Sequence, residues 1–164
     1  MDKSEELTKV HIDLPNHWAT GGESMWAAQV GPDLFELRNT PFYAYDLNWG
    51  DVVHATEDAP NLKPFVRKVV RRSGHATLRL LFKKHVAKER ALELLDELKS
   101  LDASYEGVDA FYFALDLLPE SPINKVRDVL DGWMAQGWLE YETCQARVEG
   151  SFDDAPEDNG DESS

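Results

Sequence analysis

The sequence predicts an α+β protein in two halves: a small N-terminal β-barrel or curled antiparallel sheet, then a ferredoxin-like βαββαβ sandwich. Three observations support this prediction. Five short apolar segments separated by turn residues fill the first half, as in small all-β units. The second half runs in the order strand, helix, strand, strand, helix, strand. Hydrophobic residues make up 42% of the 164-residue chain, enough for one ordinary domain or two very small ones.

The first half, assigned to residues 1–74, contains the five predicted strands. Pro15 ends the first of them, because proline has no N–H to donate to a neighbouring strand. Gly31-Pro32-Asp33 is a turn signal that joins the second and third strands into a hairpin. We therefore expect strands over residues 10–14, 25–30, 34–37, 51–55 and 64–72.

The second half, assigned to residues 75–148, begins with a strand over residues 75–82, whose even-numbered residues from Ala76 to Phe82 are apolar and share one face. A helix is predicted over residues 86–101, because apolar residues recur there at helical spacing. Strands over residues 104–108 and 110–118 follow. The next helix starts at Ser121-Pro122, with the Ser121 hydroxyl as its cap. A last strand is expected over residues 139–146.

An acidic tail, residues 149–164, ends the sequence. Six Asp and Glu residues and no Lys or Arg follow Ser151. Such a segment buries too little apolar surface to offset the entropy of ordering it, so we predict that the tail is disordered.

Several motifs along the chain resemble those of a known family. The most specific are Gly50-Asp51-Val52-Val53 and Arg72-Ser73-Gly74-His75-Ala76-Thr77. These motifs make the chain similar to an uncharacterised bacterial family, the domain-of-unknown-function family numbered forty-two sixty-five. The resemblance extends over roughly residues 9–143. The resemblance implies a bacterial origin and brings no assigned activity.

Positive charge is concentrated in one segment of a strongly acidic chain. The formal net charge is −14. Residues 63–88, here called the basic band, nevertheless contain no Asp or Glu. Their cations are Lys63, Arg67, Lys68, Arg71, Arg72, Arg79, Lys83, Lys84 and Lys88. A positively charged segment in a negatively charged chain indicates either a binding site or an internal electrostatic role.

The basic band predicts a hairpin with an anion site. If Ser73-Gly74 is a two-residue turn, Arg72 faces His75 and Lys68 faces Arg79. Cations facing one another repel and favour a bound phosphate or carboxylate. The predicted anion-binding residues are Lys68, Arg72, Ser73, His75, Thr77 and Arg79. Three alternatives remain: acidic residues from elsewhere neutralise the band, the acidic tail folds over it, or its cations tie the two halves together.

Other reactive side chains give no catalytic or metal site. His75 could act as a general base, but no Asp lies near it in the sequence to orient it. The spacing of His11, Asp13 and His17 matches no strong metal pattern. Cys144 is predicted to share a face with glutamates, which disfavours a reactive thiolate. We therefore predict no catalytic residue, no metal site and no cofactor.

Composition limits the compartment and the partners. A single cysteine excludes an intramolecular disulfide, no apolar run approaches the roughly 20 residues of a membrane span, and no signal peptide opens the sequence. A cytoplasmic location is expected. Nucleic-acid and membrane binding are not expected from so acidic a chain. The oligomeric state stays open.

Three classes of function remain. The first is a non-enzymatic acidic binding protein that neutralises a basic protein partner, as immunity proteins and antitoxins do. The second is a regulatory domain that binds a phosphorylated small molecule or another anion at the basic hairpin. The third and least supported is an enzyme centred on His75. Overall, no enzymatic activity is expected.

Overall fold

The computed structural model describes residues 6–15, 17, 20–60, 62–145 and 150–153. It has the α+β class expected from the sequence. A closed five-stranded barrel forms the N-terminal half, and a four-stranded sheet with two α-helices forms the second. No helix within these ranges is long and apolar enough to cross a membrane.

The barrel consists of five strands whose inward residues alternate with exposed ones. In β1, for example, Val10 and Ile12 are buried while Lys9 and Asp13 are exposed. Neighbouring strands pair antiparallel, and a parallel contact of β1 with β5 at His11 and Phe65 closes the barrel. The strands are β1 (Thr8–Asp13), β2 (Gly22–Gly31), β3 (Leu34–Leu37), β4 (Val52–Thr56) and β5 (Phe65–Arg71).

The second half is a sheet in the order β7-β8-β6-β9, with every neighbouring pair antiparallel. A short 3₁₀ helix, Leu98–Leu101, extends the first α-helix. The elements are β6 (Ala76–Phe82), α1 (Lys88–Glu97), β7 (Ala103–Gly107), β8 (Tyr112–Leu117), α2 (Ile123–Ala135) and β9 (Leu139–Thr143).

Two separate apolar cores sit in the two halves. The apolar stripes of α1 and α2 pack on the sheet face that carries Leu78, Leu80 and Phe82. The second core fills the barrel. Between them lies the opposite face of the sheet, which carries Thr77 and Arg79. That face determines how the halves meet.

The predicted basic hairpin is wrong. Strand β5 pairs with β4 and β1, whereas β6 pairs with β8 and β9, so Lys68 lies opposite His54 and Arg79 lies opposite Ala114 and Glu142. The two strands belong to different sheets because each has apolar partners in its own core. Residues 72–75 therefore connect the halves and are not a hairpin turn.

Two smaller predictions also change. The Ser121 hydroxyl donates to the carbonyl oxygen of Leu101 at 2.7 Å, and the N-cap position of α2 is Pro122 without a side-chain cap. Ser121 thus joins α2 to the end of the 3₁₀ helix.

Phe152, placed in the acidic tail, is only 9% exposed and packs in the barrel core. The expectation of a disordered tail does not describe residues 150–153, and residues 154–164 lie outside the described residues.

Candidate functional site

The connection between β3 and β4, residues 38–51, forms a layer between the barrel and the second sheet. Its middle is held by one carboxylate from the barrel. The N–H groups of Phe42, Tyr43 and Ala44 donate to the Glu23 carboxylate at 2.7, 3.0 and 2.9 Å. Because these three successive N–H groups share one anion, the connection keeps a fixed shape without regular secondary structure.

Arg79 fixes the same connection to the sheet. Its side chain is 1% exposed and donates to the carbonyl oxygens of Pro41, Tyr43 and Ala44 at 3.3, 3.2 and 2.9 Å. Its Nε lies 3.3 Å from the carboxylate of Glu142. A buried guanidinium is tolerated only when its donors are paired in this way. Arg79 is therefore a structural link between the halves.

Two family-like motifs meet at the joint between β5 and β6. The buried Asp51 carboxylate accepts the N–H of Ser73 at 2.8 Å, and the Ser73 hydroxyl donates to the carbonyl oxygen of Trp49 at 2.6 Å. Gly50 has φ +85°, and a Cβ there would lie 3.0 Å from the Cβ of Ser73. Burial raises the pKa of Asp51, although the Ser73 and Asn48 N–H groups oppose that shift. The joint thus requires glycine and a buried acid side by side.

A cleft of about 570 Å³ opens at this joint. It lies where the pairing of β9 with β6 stops at Thr143 and Leu78, while β6 continues to Ala76 beside β8. The cleft is lined by both halves and by α2: Asp46, Asn48, Arg72, His75, Ala76, Thr77, Leu78, Ile123, Arg127, Thr143, Cys144 and Gln145.

His75 is the most constrained side chain of the cleft. Its Nδ1 lies 2.7 Å from Oδ1 of Asp116, and its ring centroid lies 5.2 Å from that of Trp49. We assign a proton to Nδ1, because a carboxylate can only accept. Burial raises the pKa of Asp116, and the hydrogen bond from His75 opposes that shift. Within the described ranges, Nε2 of His75 has no hydrogen-bond partner, so Asp116 orients the ring and leaves the other nitrogen available.

Two arginines approach the cleft from different elements. Arg72 donates from Nη1 to the carbonyl oxygen of Asp46 at 2.7 Å, and its Nη2 lies 3.0 Å from the Asp46 carboxylate. The Arg72 side chain keeps 39% of its surface exposed. Arg127, on the exposed face of α2, lies near the Tyr141 hydroxyl, which raises the pKa of the guanidinium. Both guanidinium groups therefore face solvent at the cleft.

The hydroxyl and thiol groups around the cleft have other roles. The Thr77 hydroxyl donates to the side-chain oxygen of Asn48 at 2.8 Å. Cys144 is buried, and burial raises the pKa of its thiol to about 12. The thiol is therefore protonated near neutral pH, which agrees with the inert role expected from the sequence.

A family profile described as "Domain of unknown function (DUF4265)" matches residues 23–141. The chain belongs to this family. The resemblance identified from the sequence is confirmed, and the matched region contains both motifs of the joint. The DUF4265 region runs from the start of β2 into β9, so it includes the connection and most of the cleft.

A solved crystal structure of a hypothetical protein from Neisseria gonorrhoeae shares the fold. It superposes on this chain with a TM-score of 0.69 at 15% sequence identity. The match covers 87% of this chain and 97% of that chain. At this identity it shows the architecture alone. No curated protein matches the chain.

The structure divides the predicted anion-binding residues of this DUF4265 chain into three groups. Arg72, His75 and Thr77 line the cleft, and Ser73 lies beside it as part of the joint. Lys68 is exposed on the barrel and does not line the cleft. Arg79 lies beneath the connection with its donors paired.

The sequence analysis missed several cleft residues. Asp116 orients His75 from 41 positions away. A signal for it existed, because a single acid interrupts the apolar run of β8. Arg127 had no such signal, since an exposed helical arginine is common. Asp46, which has φ +66°, lies in the irregular connection whose shape depends on Glu23 and Arg79.

The basic band has acidic partners in the described part of the chain. Arg67 pairs with Asp58 at 2.6 Å, and Lys83 pairs with Glu140 at 2.8 Å. Together with the pairs of Arg72 and Arg79, these contacts show that acids elsewhere neutralise part of the band. No group of three His, Cys, Asp or Glu side chains suited to a metal occurs among the described residues.

Proposed function

We propose that the chain is a binding protein that holds a small phosphorylated or otherwise anionic molecule in the junction cleft. One observation carries this proposal: Arg72 and His75 of the joint line the same cleft as Arg127 of α2. Guanidinium groups recognise phosphate and carboxylate oxygens in a forked geometry. A cleft of about 570 Å³ is within the range of small-molecule sites. The proposal moves the anion site from the predicted hairpin to the joint between the halves.

Calorimetric titration with phosphate, pyrophosphate, nucleotides and sugar phosphates tests this function. We expect at least one of these compounds to bind, and Arg127→Gln to weaken that binding about tenfold or more, because one charge-assisted contact is lost. Arg67→Gln is the matched control. It removes the same charge at a barrel residue paired with Asp58, and it should leave the affinity unchanged. Equal weakening by both variants, or no binding by any compound, would contradict the proposal.

We also infer that the second half has the ferredoxin-like arrangement. Its element order is strand, helix, strand, strand, helix, strand, and its strand order is β7-β8-β6-β9. Both features support that arrangement, in which two helices cover one face of an antiparallel sheet. In this protein the other face is covered by the β3–β4 connection, and that is how the cleft acquires residues from both halves.

A basic protein partner is the second candidate function. The observation in its favour is the exposed face of α1, where Glu89, Glu93 and Glu97 lie together, while four cations of the basic band pair with acids elsewhere in the chain. Such a face suits docking of a cationic protein in the cytoplasm, as an immunity protein would do. Replacing the three glutamates by glutamine should abolish capture of a basic bacterial protein. Arg127→Gln should leave that capture intact. The candidate fails if capture survives the triple replacement.

A further inference from the structure

The orientation of His75 suggests how the cleft recognises its ligand. We propose that His75 donates a hydrogen bond from Nε2 to the bound anion and takes up a proton as the anion enters, with Asp116 as the positioning residue. The inference rests on the proposed anion-binding function. It goes further by assigning a proton-linked role to one residue.

The geometry leaves only one nitrogen of His75 for a ligand. Nδ1 faces Asp116 at 2.7 Å, and the Cδ2 edge of the ring lies beside Gly50 and the ring of Trp49. The side chain is 13% exposed, and it lines the cleft with its Nε2 unpartnered by any described residue. A ring fixed at one nitrogen and over one edge has little freedom to turn. The proposed contact of the ligand is therefore with Nε2.

The protonation state of His75 decides whether that contact is favourable. In the neutral ring with its proton on Nδ1, Nε2 carries a lone pair that repels an anionic oxygen. Protonation converts Nε2 into a charge-assisted donor, while Nδ1 keeps its bond to Asp116. The anion and the proton are thus expected to bind together.

The acidic groups around His75 and a bound anion act in the same direction. Asp116 on β8 and Asp46 at the cleft rim favour the protonated ring, and Glu106 on β7 adds negative charge near Asp116. Arg72 and Arg127 are the cations of the cleft lining. A bound anion adds negative charge beside them and so favours a protonated ring in the complex. Asp51 of the joint, whose carboxylate lies 3.7 Å from Nη1 of Arg72, is a further acidic neighbour. Trp49, Thr77 and the protonated thiol of Cys144 carry no charge near neutral pH.

Sulfate is the probe that isolates this effect, because it keeps two negative charges across the range in which histidine titrates. We expect its affinity, measured by calorimetry, to fall with rising pH by up to about tenfold per pH unit, the limit for uptake of one proton on binding. His75→Asn keeps a donor toward Asp116 but removes Nε2, so sulfate should bind more weakly and without pH dependence. Arg127→Gln should bind more weakly at every pH with the slope retained. Asp116→Asn should flatten the slope without abolishing binding.

Long-range ¹H–¹⁵N spectra of the wild-type protein give a readout that does not depend on how well a variant folds. The His75 signals, assigned from their loss in His75→Asn, should show the Nδ1-protonated tautomer when neutral, and saturating sulfate should raise the pH of their midpoint. If sulfate binds with no pH dependence and no shift of that midpoint, the inference is overturned while the proposed function stands. If neither sulfate nor phosphate nor any of the phosphorylated compounds named above binds at any pH, both are overturned.

Discussion

Arg79 shows what a single residue contributes to this fold. The sequence placed it correctly on a strand of the second half, yet its role depends on three backbone carbonyls of the connection. Backbone atoms are the same in every residue, so a sequence pattern cannot indicate which carbonyls will converge. The same limit applied to His75, whose partner Asp116 becomes adjacent only when β6 and β8 pair. The residue types of the site could be predicted, but their partners could not.

Replacing Arg79 by methionine should destabilise the protein by about 3–5 kcal/mol, because it leaves Glu142 and three carbonyl oxygens without their buried donor. Urea denaturation followed by circular dichroism measures this change. Arg90→Met is the control, since the pair of Arg90 with Glu93 is exposed. It should lower the free energy of unfolding by less than about 1 kcal/mol. Similar losses for the two variants would contradict the structural role of Arg79.

At the level of elements, the sequence predicted every strand and both α-helices, with end positions that differ by a few residues. Alternation in strands and helical spacing in α1 and α2 depend on which face is buried, and burial leaves a direct pattern in the sequence. Pairing between strands leaves a weaker pattern in the sequence. Residues 65–71 and 76–82 are adjacent strands separated by a glycine turn signal, which is why a hairpin was predicted. The hydrogen bond from the Ser73 N–H to the Asp51 carboxylate, which helps to direct the chain into a second sheet, joins residues 22 positions apart.

Two glycines in and after α2 should respond in opposite directions to alanine. A Cβ added at Gly132 or at Gly137 would meet no atom within 4 Å, so crowding plays no part at either position. Gly132 lies inside the helix, and alanine there should stabilise the protein by about 0.5–1 kcal/mol. Gly137 has φ +80°, and alanine there should destabilise it by about 1 kcal/mol or more. Thermal unfolding of both variants measures these changes in stability. Changes of the same sign in the two variants would contradict the prediction.

At the level of the whole molecule, two apolar cores are joined by a polar layer. Glu23, Asp51 and Arg79 hold the connection on both sides through backbone groups. Gly150 and Phe152 also bind the connection, where the N–H of Tyr45 donates to the carbonyl oxygen of Phe152 at 2.8 Å, and the Phe152 side chain packs in the barrel core. The two halves are therefore linked at two places, through the β3–β4 connection and through residues 150–152. Composition alone did not indicate the second tie, because one phenylalanine in an acidic segment is a weak signal.

Phe152→Ala should destabilise both halves together. Removing a large side chain from the barrel core should reduce the free energy of unfolding by about 2–4 kcal/mol. Because the halves are tied, slow amide exchange in α2 should accelerate as much as in β2. Val70→Ala, at a barrel position that is 52% exposed, is the control and should change stability by less than about 0.5 kcal/mol. Faster exchange confined to β2 would show that the two cores unfold independently.

The backbone contacts of the Glu23 carboxylate suggest that added small carboxylates can replace its side chain when it is removed. Three consecutive amide groups point at it, so removal of this side chain would leave a vacant anion receptor inside the protein. A Glu23→Ala chain should therefore be weakened in plain buffer and restored by millimolar formate or acetate, with a neutral amide such as acetamide much less effective. Restoration would be visible as a melting temperature that rises with carboxylate concentration in the variant and stays constant in the parent chain.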